Sequence, residues 1–222
     1  MTAEVKMISY SNPVKEYTEL DSVQDLIAFC ARVSNPAGQM NKETNEKLIK
    51  YLIKHKHWSP LEMVSACLEI KTTRDIAHQI VRHRSFSFQE FSQRYADPKA
   101  QGDIFEYSEA RLQDTKNRQN SIATDDRDLQ HWWDSQQKHV AEVSKVAYEN
   151  AIEKGIAKEQ ARKVLPEGLT KTTLYMNGSL RSWVHYIELR SANGTQKEHM
   201  EVAIACAKVI ANIFPLINEI NT

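Results

Sequence analysis

The 222 residues carry 29 basic and 29 acidic side chains and are 41% hydrophobic, which is typical of a globular protein long enough to bury a core. Zero formal net charge removes the overall attraction on which nonspecific binding to nucleic acid or to an anionic membrane depends. The first residues lack the layout of a signal peptide, and no apolar run approaches the ~20 residues of a membrane helix. We therefore expect a cytoplasmic protein that binds neither nucleic acid nor membrane.

The three cysteines, Cys30, Cys67 and Cys206, are far apart in the sequence and lie among apolar neighbours. This placement favours reduced, structural thiols over a disulfide framework or a zinc site. His55 and His57 form an H-x-H pair, but no cysteine or carboxylate cluster completes a metal shell around them. We predict a reducing compartment and no metal.

The chain begins with one predicted strand and two predicted helices. EVKMISYS, from residue 4, has the pattern of a short strand, and DSVQDLIAFCARVS that of a helix with Asp21 or Ser22 as its N-cap. NKETNEKLIKYLIKHKHW predicts a second helix, with Tyr51 among its inward-facing residues, ended by Pro60.

The period of the hydrophobic pattern then changes. VSACLEIKT, residues 64–72, alternates apolar and polar side chains and predicts a half-buried strand. TTRDIAHQIVRHR returns to helical spacing, with Thr73 as the N-cap and with Arg74, His78 and Arg82 on one face. The alternation of serine and phenylalanine that follows predicts an extended segment directly after this helix.

The second half of the chain is predicted to be mostly helical. Residues 96–128 are polar and predict a long surface excursion, followed by a helix from Leu129 to Ile156 with Val140 and Val143 facing inward. TKTTLYMNG predicts a strand that ends in a turn at Asn177-Gly178. SLRSWVHYIELR and KEHMEVAIACAKVIANIF predict the last helices. The fold class is α+β, with helices packed on an antiparallel-type sheet in one domain spanning 1–222.

One segment carries the most chemical information. RHRSFSFQEFSQRY, residues 82–95, places three arginines and three phenylalanines in fourteen residues. An arginine fork binds phosphates and planar carbonyl groups through two donors at once, and Ser92 and Arg94 would share one face of an extended strand. A solvated basic face is the simpler alternative. A nucleic-acid-binding module, with the rings stacked on bases, is another.

The same segment resembles the signature of the flavin-dependent thymidylate synthases, an R-H-R triplet followed by seven residues and a serine. S-x-R-Y follows directly. Four further segments agree with that family in order and spacing: CARVSNP near residue 34, HKHWSPLEM at 55–63, ARKVLP at 161–166 and RSWVHYIELR at 181–190.

The resemblance implies a reductive methylation of dUMP to dTMP. The carbon would come from 5,10-methylenetetrahydrofolate and the reducing equivalents from NADPH through FAD. It also implies a homotetramer whose active sites are shared between subunits, and a flavin bound outside a Rossmann crevice, since the sequence has no G-x-G-x-x-G after a strand. No enzyme nucleophile would attack the uracil.

Site residues are implied by the matching positions. The dUMP site would comprise Gln79, Arg82, Glu90, Phe91, Ser92, Gln93, Arg94, Arg162 and Arg190. The FAD site would comprise Ser34, His57, Ser59, Arg82, His83, Arg84, Glu90, Ser179, Arg181 and His185. Arg190 would be catalytic, because the matching arginine reaches the uracil ring and favours its N3-deprotonated form.

Two positions depart from the family pattern. Ser179 stands where an asparagine usually contacts the flavin, with Asn177 two residues earlier, and Gln89 stands where asparagine is common. Neither change alters the arginines.

A nucleic-acid-binding module explains the 82–95 segment but not the second arginine cluster at 162, 181 and 190. An inactive scaffold related to the enzyme is the remaining alternative.

Overall fold

The computed structural model describes residues 3–220 and contains a four-stranded antiparallel sheet. The strands lie in the order β1-β2-β6-β3, and the pairing of β2 with β6 joins residues from the two halves of the chain. A separate hairpin is formed by β4 and β5. The strands are β1 (Glu4–Tyr10), β2 (Ser65–Thr73), β3 (Ser87–Glu90), β4 (Arg111–Gln113), β5 (Ser121–Ala123) and β6 (Lys171–Ser179).

Helices flank this sheet, so the predicted α+β class and the antiparallel sheet are confirmed. Hydroxyl or carboxylate N-caps begin three of them: Ser22 accepts from the backbone N–H of Asp25, and Asp126 and Ser179 act in the same way on α4 and α6. The helices are α1 (Val23–Ala31), α2 (Asn45–Lys54), α3 (Arg74–Ile80), α4 (Arg127–Glu153), α5 (Lys158–Ala161), α6 (Leu180–Ser191), α7 (Lys197–Ile210) and α8 (Ile217–Ile220). Within residues 3–220 no helix is both long and apolar enough to cross a membrane.

The main core lies on one face of the sheet. Leu68 and Ile70 of β2 and Leu174 and Met176 of β6 are fully buried, as the alternating pattern of residues 64–72 predicts. Helices α6 and α7 contribute Trp183, whose indole N–H donates to the carbonyl oxygen of Ala66 at 3.0 Å, and several buried aliphatic side chains. This bond satisfies the one polar atom of the largest core side chain.

The predicted turn at Asn177-Gly178 is wrong, because β6 continues through both residues to Ser179. Gly178 serves a different purpose. A Cβ placed there would lie 2.4 Å from Cδ1 of Phe86, so the glycine gives room for that ring against the strand. Glycine inside a strand commonly marks such a close approach.

Two predictions of inward-facing side chains are also wrong. Tyr51 is exposed, and Ile49 and Leu52 are the buried hydrophobic residues of α2. On α4, Val140 and Val143 face outward, while the buried residues of that helix include Ala141 and Tyr148. The described chain therefore leaves an apolar stripe of this 27-residue helix exposed.

Candidate active site

The arginine-rich segment is fixed to the core by its phenylalanines. Phe86 is buried and meets the Trp183 ring edge-to-face, with the ring centroids 4.8 Å apart. Phe88 packs against the same core, whereas Ser87 and Gln89 point away from it, so the predicted alternation is confirmed. A ring buried like that of Phe86 is not free to stack on a base, and this weakens the nucleic-acid hypothesis.

The ends of this segment differ from the prediction. Helix α3 ends at Ile80, so Arg82 lies beyond it rather than on a helical face. Strand β3 ends at Glu90, and the residues after it form a turn in which the N–H groups of Tyr95 and Ala96 donate to the carbonyl oxygen of Ser92. Ser92 and Arg94 are exposed at this turn instead of sharing one face of a strand.

Arg190, in the last turn of α6, contacts the central histidine of the segment. Its Nε donates to Nε2 of His83 at 2.9 Å. Because a guanidinium nitrogen can only donate, Nε2 of His83 accepts and its ring proton is on Nδ1. Burial and the nearby Arg190 charge lower the pKa of His83 from 6.5 to about 4, which keeps this acceptor neutral.

No ion pair within residues 3–220 balances the charge of Arg190. Among residues 3–220, no carboxylate lies within 4.0 Å of its guanidinium, although arginines elsewhere in the chain form such pairs. The bond to His83 uses only Nε, so the N–H groups on Nη1 and Nη2 of Arg190 take no part in it. The side chain is half-buried, so this cation is both oriented and available to a ligand.

Gln79 belongs to a row of hydrogen-bonded polar side chains, of which His199 and Tyr186 are buried and Gln79 and Gln196 half-buried. The amide nitrogen of Gln79 donates to Oε1 of Gln196 at 2.8 Å, and Oε1 of Gln79 lies 3.2 Å from Nδ1 of His199. Nε2 of His199 in turn lies 3.1 Å from the hydroxyl of Tyr186. Burial lowers the pKa of His199 to about 3, with smaller contributions from Arg190 and His83, and burial also raises the pKa of Tyr186.

The remaining residues of the predicted dUMP site lie around the end of β3. Glu90 accepts from Nη1 of Arg74 at 3.2 Å and from the hydroxyl of Thr172 at 2.9 Å, so its carboxylate is already engaged. Phe91 is half-buried and Gln93 is buried. Arg94 forms a long ion pair with Glu159, at 3.5 Å. Arg162 lies three residues after Glu159, in a short 3₁₀ helix.

A second group of predicted residues lies at the other end of α6. Arg181 pairs with Glu62, and the His185 ring meets the Trp58 ring at 4.5 Å in a T-shaped contact. Ser59 begins the 3₁₀ helix that follows Trp58. Arg181 and Arg190 are nine residues apart, which at 1.5 Å per residue is about 13 Å along the helix axis.

The other predicted flavin contacts are less closely grouped. Ser34 is exposed in the loop after α1, and His57 lies beside His55, with ring centroids 6.2 Å apart. Ser179 uses its hydroxyl to cap α6, whereas Asn177 is exposed on the open face of the sheet. Among residues 3–220 no three His, Cys, Asp or Glu side chains form a metal-binding group.

The chain matches known proteins over nearly all of its length. Residues 15–216 match the family described as thymidylate synthase complementing protein, Thy1. A probable flavin-dependent thymidylate synthase of Paramecium bursaria Chlorella virus 1 is 50% identical over 215 residues, which are 96% of this chain and 95% of that protein. The chain belongs to the flavin-dependent thymidylate synthase family. The family predicted from the 82–95 segment is thus confirmed.

Other relatives agree with this assignment. The flavin-dependent thymidylate synthase of Synechocystis sp. is 48% identical over 215 residues, covering 96% of this chain and 97% of its own. In fold, the UMP/dUMP methylase PolB from Streptomyces cacaoi, crystallised with 5-Br dUMP, has a TM-score of 0.80 at 24% identity. That likeness covers 98% of this chain and 93% of the methylase, and shows a shared fold.

Sequence reasoning missed the polar residues behind Gln79, namely Tyr186, Gln196, Glu198 and His199. Three of them fall in or beside the first turn of α7, where the sequence pattern indicates only a mostly buried helix. The signal available in the sequence was the spacing of His199, which shares one helical face with apolar Val202, Ala203 and Cys206 at i+3, i+4 and i+7. Its partners come from α3 and α6, and pattern analysis of one segment does not show such partners.

Proposed function

We propose that this member of the flavin-dependent thymidylate synthase family methylates dUMP to dTMP. The carbon donor is 5,10-methylenetetrahydrofolate, and NADPH is the reductant through FAD. Family membership supports the reaction, and one observation in the chain carries the assignment of roles. That observation is Arg190, a half-buried cation held by neutral His83 and not compensated by any carboxylate of residues 3–220.

The chain has positively charged side chains suited to the negatively charged pyrophosphate of a dinucleotide flavin. Arg82 and Arg84 are exposed, and neither has a carboxylate within 4.0 Å among the described residues, so both are available to the pyrophosphate. Arg181 and His185, with Ser59 nearby, offer further polar contacts at the N-terminal end of α6. When bound, FAD supplies a two-electron carrier between the reductant and the transferred carbon.

The dUMP site is proposed at the turn after β3. Ser92 and Arg94, together with Arg162, bind the phosphate, since a hydroxyl and arginine forks are suited to its oxygens. Gln93 supports a ligand at this place: it is 3% exposed and its amide nitrogen has no hydrogen-bond partner among the described residues. An unsatisfied buried donor costs about 1–3 kcal/mol, so a loop that reorders around an acceptor would be stabilised.

Arg190 is proposed as the catalytic residue. A permanent cation directed at the uracil ring stabilises negative charge on it and so favours the N3-deprotonated, more nucleophilic form. The neutral state of His83 matters here, because a protonated ring would repel the guanidinium and lose its acceptor nitrogen.

The cysteines support a reaction without an enzyme nucleophile. Cys206 is fully buried, and burial raises the pKa of all three thiols. A thiol held protonated in this way is a poor nucleophile. We propose that the enzyme works in the cytoplasm, where its free cysteines stay reduced.

The exposed apolar stripe of α4 supports the proposed homotetramer. Trp132, Val140, Val143 and Val146 are each 45% exposed or more. Contiguous exposed apolar patches are characteristic of protein–protein interfaces. We propose that residues 1–222 form one domain, that four copies assemble through faces including this one, and that the two groups of site residues on α6 serve shared active sites.

The test combines a spectrum with turnover. The purified protein should absorb near 450 nm, as flavins do, and form dTMP anaerobically from dUMP, methylenetetrahydrofolate and NADPH. Arg190→Ala should lower kcat by about 10²–10³-fold while FAD stays bound. Arg118→Ala, an exposed arginine in the β4–β5 loop, is the matched control and should keep full activity. A colourless protein that takes up no FAD and forms no dTMP would exclude the proposed function.

A further inference from the structure

Lys56, in the turn after α2, has an unusual backbone conformation. Among residues 3–220 it is the only residue other than glycine with a positive φ, at 58°. Left-handed backbone is unfavourable for a residue that has a Cβ, and glycine therefore occupies it most readily. The chain thus keeps a lysine here at a cost in stability.

The turn itself would form at least as well with glycine. The N–H of Lys56 donates to the carbonyl oxygen of Ile53 at 3.0 Å, and the N–H of His57 donates to that of Leu52 at 2.8 Å. These two bonds make a Schellman motif, in which glycine is the usual residue at the position of Lys56. A cation is favourable near a helix C-terminus, but Lys54 in the last turn of α2 already supplies one. The fold therefore uses the backbone of Lys56 and does not require its side chain.

Lys56 belongs to a surface group of rings and ammonium groups, which we call the α2 cap cluster. Its members are all exposed: Tyr51, Lys54, His55, Lys56 and His57. The ring centroids of Tyr51 and His55 are 4.2 Å apart, and the His57 centroid lies 6.1 Å from that of Tyr51 and 6.2 Å from that of His55. The cluster thus combines a small aromatic surface with two flexible cations.

No counter-ion for these two lysines is present in the part of the chain that the structure describes. Within residues 3–220 no carboxylate lies within 4.0 Å of Nζ of Lys54 or Lys56, whereas Lys50, one turn earlier, pairs with both Glu46 and Glu219. Sparsely populated backbone conformations that the fold does not require are concentrated at ligand sites. Unpaired cations beside exposed rings are suited to a ligand that is both anionic and aromatic.

Contacts connect the cluster to the candidate site. His57 is followed directly by Trp58, whose ring meets that of His185 on α6 at 4.5 Å. Arg181, one turn earlier on α6, pairs with Glu62 in the segment after Trp58. The α2 cap cluster therefore adjoins the N-terminal half of α6.

We propose that the α2 cap cluster binds oxyanion groups of a co-substrate, with Lys54 and Lys56 as the charged contacts and the rings packed against an aromatic part of the same molecule. The inference rests on the proposed function, which supplies two molecules with this chemistry. The folate carries carboxylates on a glutamate tail beyond an aromatic ring, and further glutamates lengthen that tail. NADPH carries a phosphate on the ribose next to its adenine ring. An ammonium group, a point charge with three donors, suits either oxyanion.

The test compares ligands that differ in their oxyanion groups. Anaerobic calorimetric titration of the FAD-loaded, full-length enzyme gives Kd for tetrahydrofolate with one and with five glutamates, and for NADP⁺ and NAD⁺. In the pair that the cluster recognises, Lys56→Gly should reduce the preference for the more charged ligand by about threefold and Lys54→Ala/Lys56→Gly by about tenfold, as expected for exposed ion pairs. The preference of the wild-type enzyme should also decrease in high salt.

A stability measurement separates binding from folding. Lys56→Gly relieves the left-handed backbone, so it should raise Tm by about 1–4 °C while it weakens binding, the opposite of what a damaged fold would show. Lys56→Arg keeps the charge and should retain the preference. Lys116→Ala, at an exposed lysine of the β4–β5 loop, is the matched control and should leave the Kd ratios unchanged.

The outcomes distinguish the two proposals. A wild-type protein that takes up no FAD and forms no dTMP would overturn the proposed function and this inference with it. An active wild-type enzyme that shows no preference in either pair, or whose preferences both change less than about twofold in the folded double variant, would overturn the inference alone. A reduced preference for the longer glutamate tail would identify the folate as the occupant, and a reduced preference for NADP⁺ would identify the ribose phosphate. Either result would establish the cluster as an oxyanion site.

Discussion

Gly178→Ala is expected to destabilise the protein through a single contact. The new methyl carbon would lie 2.4 Å from Cδ1 and 2.7 Å from Cε1 of Phe86, whereas carbon atoms in contact normally stay about 3.5–4.0 Å apart. Phe86 has little room to retreat, because its ring packs against Trp183 at 4.8 Å and Tyr186 at 6.0 Å. Overpacking of this kind costs about 1–3 kcal/mol.

For a chain of this size, that cost corresponds to a fall in Tm of roughly 2–12 °C, which differential scanning calorimetry can measure. Gly168→Ala is the matched control, since a Cβ at Gly168 meets nothing within 4 Å and its φ is not positive. Gly178→Ala/Phe86→Leu should recover part of the loss, because the smaller side chain relieves the overlap. A Tm within 1 °C of wild type in Gly178→Ala would refute the close approach of Phe86 to β6.

Three further outcomes are expected. Arg94→Ala should raise the KM for dUMP by about 10–100-fold with FAD affinity unchanged, since a bond to a charged phosphate contributes about 1.5–3 kcal/mol; an unchanged KM would remove Arg94 from the phosphate site. The free energy of unfolding, measured with urea, should decrease as the pH falls from 6.5 toward 4. Half-buried His83 and buried His199 have lowered pKa values in the folded protein, so the unfolded chain binds more protons in this pH range. The decrease in stability should be smaller in His199→Leu, which lacks one of these groups. Val143→Glu on the exposed stripe of α4 should shift the assembly to smaller species in light scattering, and an unchanged mass would show that this stripe is not part of the interface.

The sequence was sufficient for the elements whose pattern reflects one buried face. Residues 64–72 alternate because a single side of β2 faces the core, and that reading is confirmed. The sequence pattern failed where contacts with other parts of the molecule determine whether a residue is buried or lies in a turn. Gly178 has the composition of a turn but is present because of Phe86, and Val143 has the spacing of a core residue although nothing in the described chain covers it.

The candidate site also contains residues that the sequence predicts and contacts that only the structure shows. The arginines at 82, 84, 94 and 190 remain predictions, which rest on the family segments that contain them. His83 was predicted only as a flavin contact; its role as the acceptor that orients Arg190 depends on a neutral ring at 2.9 Å, which the sequence does not show. The hydrogen bonds of His199 could not be predicted, since its partners come from α3 and α6 and meet it only in three dimensions.

The pairing of β2 with β6 determines when the fold can form during synthesis. Residues 74–170 lie between these two central strands, so their register cannot be established until β6 has left the ribosome. Chains grow at about 5–20 residues per second, and for several seconds β2 has only β1 as a partner. The segment that carries Arg82 to Arg94 also waits, because β3 pairs with β6 alone. Folding is therefore dominated by late, long-range contacts, and the candidate active-site segment is ordered only after β6 is available.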